Sequence, residues 1–224
     1  MNLPNRAIIA VVDPVCSWCW GFGGVLEELR HRYEKSVSFV AIMGGLRPGP
    51  AAEPLRGIHD FLRSHWREVH TRTGQPIDEA FIDRDGDLVL DTEIPCRAVV
   101  AARRINPDSA LPMYHATQRA LFAQNRNVFE AQELARIAGE IGLDPEAFEA
   151  SFDTEAVCTE TAADFQLARS FGVAGFPTLL VRDDEQFGVV TRGYAPLERV
   201  DPVLAALRPY VPVNSAPRAR SQSP

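Results

Sequence analysis

The stretch Ala7-Ile8-Ile9-Ala10-Val11-Val12-Asp13-Pro14-Val15-Cys16-Ser17-Trp18-Cys19-Trp20-Gly21-Phe22 carries the reading of the whole chain. Its first six residues are apolar and rich in β-branched side chains, the length of a strand, and Pro14 ends them. From Cys16 to Tyr33 the apolar positions Cys19, Phe22, Val25, Leu26 and Leu29 recur at helical spacing. Cys16 is therefore expected at or just before a helix N-terminus, with Cys19 one turn inside. Unpaired backbone N–H groups and the positive end of the helix dipole favour a thiolate there, and the thiolate is the form of sulfur that attacks disulfides.

Working outward, Val37-Ser38-Phe39-Val40-Ala41-Ile42-Met43 reads as a second strand, closed by the turn Gly44-Gly45-Leu46-Arg47-Pro48-Gly49. Strand, helix and strand make a βαβ unit with parallel strands. A helical stretch follows. Ile58, Phe61, Leu62, His65, Trp66 and Val69 obey the i, i+3, i+4 rule up to Thr73-Gly74, and further helices are expected near 95–104, 111–124, 131–141, 144–152 and 154–171. Strands return at Thr178-Leu179-Leu180-Val181 and Phe187-Gly188-Val189-Val190-Thr191-Arg192, joined as a hairpin, before a last helix at 196–207. The order is βαβ, then helices, then αββα. This is an α/β, thioredoxin-like pattern in which an all-helical block, 55–153, is inserted between two halves of one domain, 1–54 and 154–210. The block is expected to cover the active-site face. The tail 211–224, rich in Ser, Pro and Arg, is expected to be disordered.

The totals narrow the function. The formal charge of −7 over 224 residues offers no clustered basic face for nucleic acid or an anionic membrane, and Lys35 is the only lysine. No apolar run reaches the length of a membrane span. The start Met1-Asn2-Leu3-Pro4-Asn5-Arg6 leads straight into the first strand without the pattern of a secretory signal, so a cytoplasmic location is expected. In a reducing compartment a close cysteine pair is catalytic or metal-binding rather than structural. Half of a zinc site is the competing reading of Cys16 and Cys19, but Cys96 and Cys158 form no second short-spaced pair. Those two read as small buried hydrophobes. The histidines His31, His59, His65, His70 and His115 show no i, i+4 pairing, so no metal site is expected.

Cys16-Ser17-Trp18-Cys19, together with Gly172-Val173-Ala174-Gly175-Phe176-Pro177-Thr178 ahead of the third strand, resembles the DsbA-like branch of the thioredoxin superfamily. The Asp-Pro-x-Cys-x-Trp-Cys-Trp pattern looks most like its cytosolic, FrnE-type members, described as protein-disulfide isomerases. The resemblance spans roughly Ala7 to Leu207 and implies a thiol-disulfide oxidoreductase or isomerase acting on disulfide-containing proteins or small disulfides. It implies that Cys16 is the nucleophile, Cys19 the resolving thiol, and Pro177 a cis-proline facing the pair. Without an N–H at Pro177, the Phe176 backbone is free to pair with an extended substrate, and a partly exposed Trp18 offers it an apolar rim. No resident cofactor is implied, although glutathione or another low-molecular-weight thiol would serve as co-substrate. Many relatives place a buried carboxylate six residues before the nucleophile. Here that position is Ala10, and no proton relay carries over. Ser17-Trp18 matches neither the Gly-Pro pair of strong reductants nor the Pro-His pair of strong oxidants, which leaves the redox direction open. The alternative within the same fold is a glutathione-dependent transferase or isomerase of the kappa or 2-hydroxychromene-2-carboxylate isomerase type, whose members typically lack the second cysteine.

Overall fold

The computed structural model describes residues 3–84 and 87–207; the expected tail, 211–224, lies outside them. Strand β1 (Arg6–Val12) leads into helix α1 (Ser17–Tyr33) and strand β2 (Ser38–Met43). Helices α2 (His59–Thr73), α3 (Glu93–Ile105), α4 (Ala110–Gln124), α5 (Ala131–Glu140) and α6 (Pro145–Phe152) follow. Helix α7 (Glu155–Ser170), strands β5 (Thr178–Asp183) and β6 (Gln186–Arg192) and helix α8 (Leu197–Ala206) complete the chain. The remaining strands, β3 (Glu53–Pro54) and β4 (Val89–Leu90), form a two-residue antiparallel ladder at the edge of the helical block. The block is therefore not all-helical, as the sequence suggested. Two residues per strand are too few for a period-2 pattern to show, and the ladder exists because Leu90 is buried and the Leu55 N–H donates to Leu88 O at 2.8 Å.

The central sheet runs in the order β2-β1-β5-β6. β1 lies parallel to β2 and antiparallel to β5, so both halves of the chain share one sheet. β1 is apolar at every position from Ala7 because both of its faces are covered. Ile8, Ala10 and Val12 pack toward the cluster that contains α1, while Ala7, Ile9 and Val11 pack with Ala168 of α7. Helix α1 buries Cys19, Phe22, Leu26, Leu29 and Tyr33, spaced alternately by three and four residues. Each large apolar side chain on that stripe contributes about 2 kcal/mol. Helix α8 closes on the same side, where Asp201 accepts from the Tyr33 hydroxyl at 2.8 Å and from Arg32 at 2.7 Å. Gly74 ends α2 with φ 72°, as the Thr73-Gly74 stop required.

His115 on α4 is half-buried beside Arg30 and Arg119, and burial followed by these two cations lowers its pKa from 6.5 to about 4. A histidine held neutral in the folded state contributes stability that is full above pH 6.5 and lost as pH falls toward 4. Discounted for its exposed edge, the loss is about 2 kcal/mol. Urea denaturation of His115→Gln should therefore show a shallower drop between pH 7 and pH 4 than the parent, by about that amount. Parallel curves would refute the assignment.

Candidate active site

The cysteines are placed by the junction of β1 and α1. The Cys16 N–H donates to Asp13 O at 3.1 Å, which closes the turn through Pro14 and Val15. Cys16 is the N-cap of α1, and its Sγ accepts from the Cys19 N–H at 3.3 Å, so the sulfur sits on an otherwise unpaired donor of the first turn. Cys16 is 6 % exposed and Cys19 0 %. Burial first, and then the adjoining Cys16 sulfur, push the Cys19 thiol well above its usual range.

Pro177 lies opposite. The pairing of Val11 with Thr178 sets the start of β5 beside the end of β1, so the loop before β5 meets the turn after β1. The Phe176–Pro177 peptide is cis, and the Cys16 thiol donates to Phe176 O at 3.7 Å. The Phe176 ring lies over Gly44, just after β2, so closely that a Cβ there would collide with it. The turn after β2 thus supports the loop that faces the thiols.

Trp18 is partly exposed, as expected, and sits within an aromatic and cationic cluster. Its ring lies 5.7 Å from His65, edge-on, and 5.9 Å from Tyr194, with the Arg72 guanidinium 4.9 Å from its centre. Between this turn and the helical block is a cavity of about 170 Å³, lined by Cys16, Trp18 and Phe176 on one side and by Phe61, Leu62, His65 and Trp66 of α2 on another. The block covers the face on which Cys16 opens.

Behind the turn lies a carboxylate that sequence reasoning missed. Asp13 is fully buried; its carboxylate accepts from the Val15 N–H at 2.9 Å, the Leu46 N–H at 2.7 Å and the Cys96 thiol at 3.3 Å. Burial raises its pKa, and these donors hold it down. Cys96 is buried, as read, but polar in its contact, and burial, followed by Asp13, pushes its thiol well up. Cys158 is half-buried beside Arg97, remote from the pair in its partners. Among the described residues no group of three or more His, Cys, Asp or Glu side chains is arranged to hold a metal ion.

A model of the DsbA-like thioredoxin domain matches residues 7–201. The chain belongs to the DsbA-like thioredoxin family. Solved structures similar to it include a candidate protein disulfide isomerase from Nitrosomonas europaea, 30 % identical, with a TM-score of 0.81 over 91 % of this chain and 97 % of that one. The cytosolic disulfide reductase DsbM from Pseudomonas aeruginosa is 27 % identical, with a TM-score of 0.72 over 83 % of this chain and 89 % of that one, and has also been solved with GSH. A curated relative, the ClpXP adapter protein SpxH of Halalkalibacterium halodurans, is 23 % identical over 94 % of this chain and 70 % of its own length. This DsbA-like protein is thus a thiol-disulfide oxidoreductase by family, with the Cys16 and Cys19 sulfurs, the Phe176 carbonyl and an apolar cavity gathered at one end of its sheet. Among the described residues no helix is long and apolar enough to cross a membrane.

Proposed function

We propose that the protein catalyses thiol-disulfide exchange on peptide and small-molecule disulfides in the cytoplasm, in the reducing or isomerising direction, with Cys16 as nucleophile and Cys19 as resolving thiol. The observation that carries this reading is the pair's asymmetry. Cys16 opens onto the cavity and bears the N–H of Cys19, whereas Cys19 stands one turn behind it, closed to solvent. A substrate disulfide can therefore reach only the first sulfur.

The Cys16 thiolate attacks one substrate sulfur. A mixed disulfide forms, and the other substrate sulfur leaves as a thiolate that takes up a proton. Cys19 then attacks Cys16 Sγ, forming the internal disulfide and releasing the remaining substrate thiol. If a second substrate thiol attacks first, the outcome is isomerisation. The Phe176 carbonyl and N–H are the backbone groups beside which an extended substrate would lie, with Trp18 as its apolar flank. A low-molecular-weight thiol such as glutathione would reduce the internal disulfide. Similarity to a cytosolic disulfide reductase that has been solved with GSH supports both that donor and the location. The buried second thiol favours this dithiol chemistry over a glutathione-dependent transferase or isomerase.

The test is trapping. Cys19→Ser expressed in cells should accumulate covalent adducts on Cys16 that are released by dithiothreitol and are absent when Cys16 is also replaced. Protein adducts support the reading. Glutathione as the sole adduct would move it to the glutathione-dependent alternative.

A further inference from the structure

The mouth of the cavity at Cys16 carries a run of packed rings with a cation at each end. The Arg47 guanidinium lies 5.9 Å from the centre of the Phe61 ring, and Phe61 stacks on His65 with centroids 5.1 Å apart. His65 meets Trp18 edge-on at 5.7 Å, and the Arg72 guanidinium lies 4.9 Å from the Trp18 centre and 5.9 Å from that of Tyr194. The contacts pass in series from Arg47, on the segment after β2, to Arg72, near the end of α2, by way of the tryptophan between the two cysteines. Phe61 and His65, four residues apart, share one face of α2. Phe61 is exposed and Trp18 half-buried, so the run meets solvent as well as the cavity. Burial lowers the pKa of His65, which stands there as a neutral ring at pH 7.

The charge beside Cys16 is one-sided. No Asp or Glu lines the cavity, whereas Arg47 does, in a chain whose formal charge is −7. A guanidinium stacked on a ring gives its face to the ring and keeps N–H edges for an anion. Glu53 pairs with Arg47 at 3.0 Å and Glu68 with Arg72 at 3.4 Å, but both acids are about half exposed, and ion pairs of that kind are weak enough for a substrate carboxylate to displace. An extended peptide sets same-face side chains about 7 Å apart, close to the spacing of this run. We propose that the run is a specificity site for extended acidic segments: apolar substrate side chains lie on Phe61 and Trp18, and carboxylates on either side of them pair with Arg47 and Arg72. The inference rests on the exchange reaction proposed above and names the disulfides that this reaction prefers. The overall charge argues the other way, because an acidic protein attracts cationic peptides. That field decays over about 8 Å at physiological salt, so the arginines beside the bound segment decide.

The test uses homodimeric disulfides of two capped peptides, Glu-Phe-Cys-Phe-Glu and Lys-Phe-Cys-Phe-Lys. Dithiothreitol is the reductant, and each kcat/KM is divided by the uncatalysed rate constant for the same peptide. At low salt the acidic peptide should be reduced about tenfold faster than the basic one, and at about 0.5 M salt the ratio should shrink to about twofold. Arg47→Gln and Arg72→Gln should each lower the low-salt ratio about threefold. Arg169→Gln is the control. It removes the same charge from α7, which packs on the face of β1 away from α1, and should keep the parent's ratio. A loosened fold would slow both peptides alike, so the ratio reads recognition and not stability. A parent ratio of one or less, an unmoved ratio in both Arg47→Gln and Arg72→Gln, or an equal loss in Arg169→Gln would overturn the site. Failure of the parent to reduce either peptide would instead sink the exchange reading, and the site with it.

Discussion

Cys16→Ser should lose disulfide exchange by a factor of about a thousand or more while remaining folded. The N-cap geometry explains why the two effects part. A serine hydroxyl at this position still accepts from the Cys19 N–H, and serine is a favoured helix N-cap, so α1 keeps its start. The swap exchanges one sulfur for one oxygen and removes no carbon, so it leaves little cavity. Chemistry does not survive it. An alcohol is not a thiolate, does not attack disulfide sulfur at neutral pH, and cannot be replaced by Cys19, which is fully buried behind it. Turnover of a peptide disulfide with dithiothreitol as reductant is the measurement, with circular dichroism as the folding check. Residual activity above about a tenth of the parent's would mean that another thiol carries the reaction.

Asp13→Ala should destabilise the protein by roughly 3 kcal/mol and also reduce exchange, because one carboxylate ties together three parts of the chain. It holds the active turn through Val15, the segment after β2 through Leu46, and α3 through Cys96. Removing it leaves two part-buried N–H groups and the buried Cys96 thiol without their acceptor, each N–H costing about 1 to 3 kcal/mol, offset in part because a buried charge is also removed. Asp13→Asn keeps the shape but turns one acceptor into a donor, so it should fall between alanine and the parent. Urea denaturation at pH 7 checks the order. A loss below about 1 kcal/mol for alanine would show that the turn stands without the carboxylate. Because Cys16 N–H donates to Asp13 O, loosening of this turn should also appear as slower attack by Cys16.

Asp13 marks where sequence reasoning stopped. The comparison with relatives directed attention to Ala10, a strand position, and found no acid there. The acid sits three residues later, in the turn, and is buried because the chain folds back over it at Leu46 and α3 closes from behind. Two of its three donors lie 33 and 83 positions from it, so no local pattern could reveal it. The β3–β4 ladder escaped for a different reason, its brevity.

The sequence by itself determined the order of the central-sheet strands and of the helices, the place of Cys16 at a helix start and of Cys19 behind it, and the stops at Gly74 and Pro14. All of these depend on contacts within a few residues, on helical and strand periods, and on backbone preferences that glycine and proline impose at once. Tertiary structure decided the rest: that Phe176 faces Cys16 across 160 positions, that α2 walls the cavity, and that Asp13 stands behind the active turn against Cys96. The register of β5 against β1 and the docking of the helical block set these distances. Both arise from the burial of apolar faces against each other, which is non-directional and fixes partners only when the whole chain has closed.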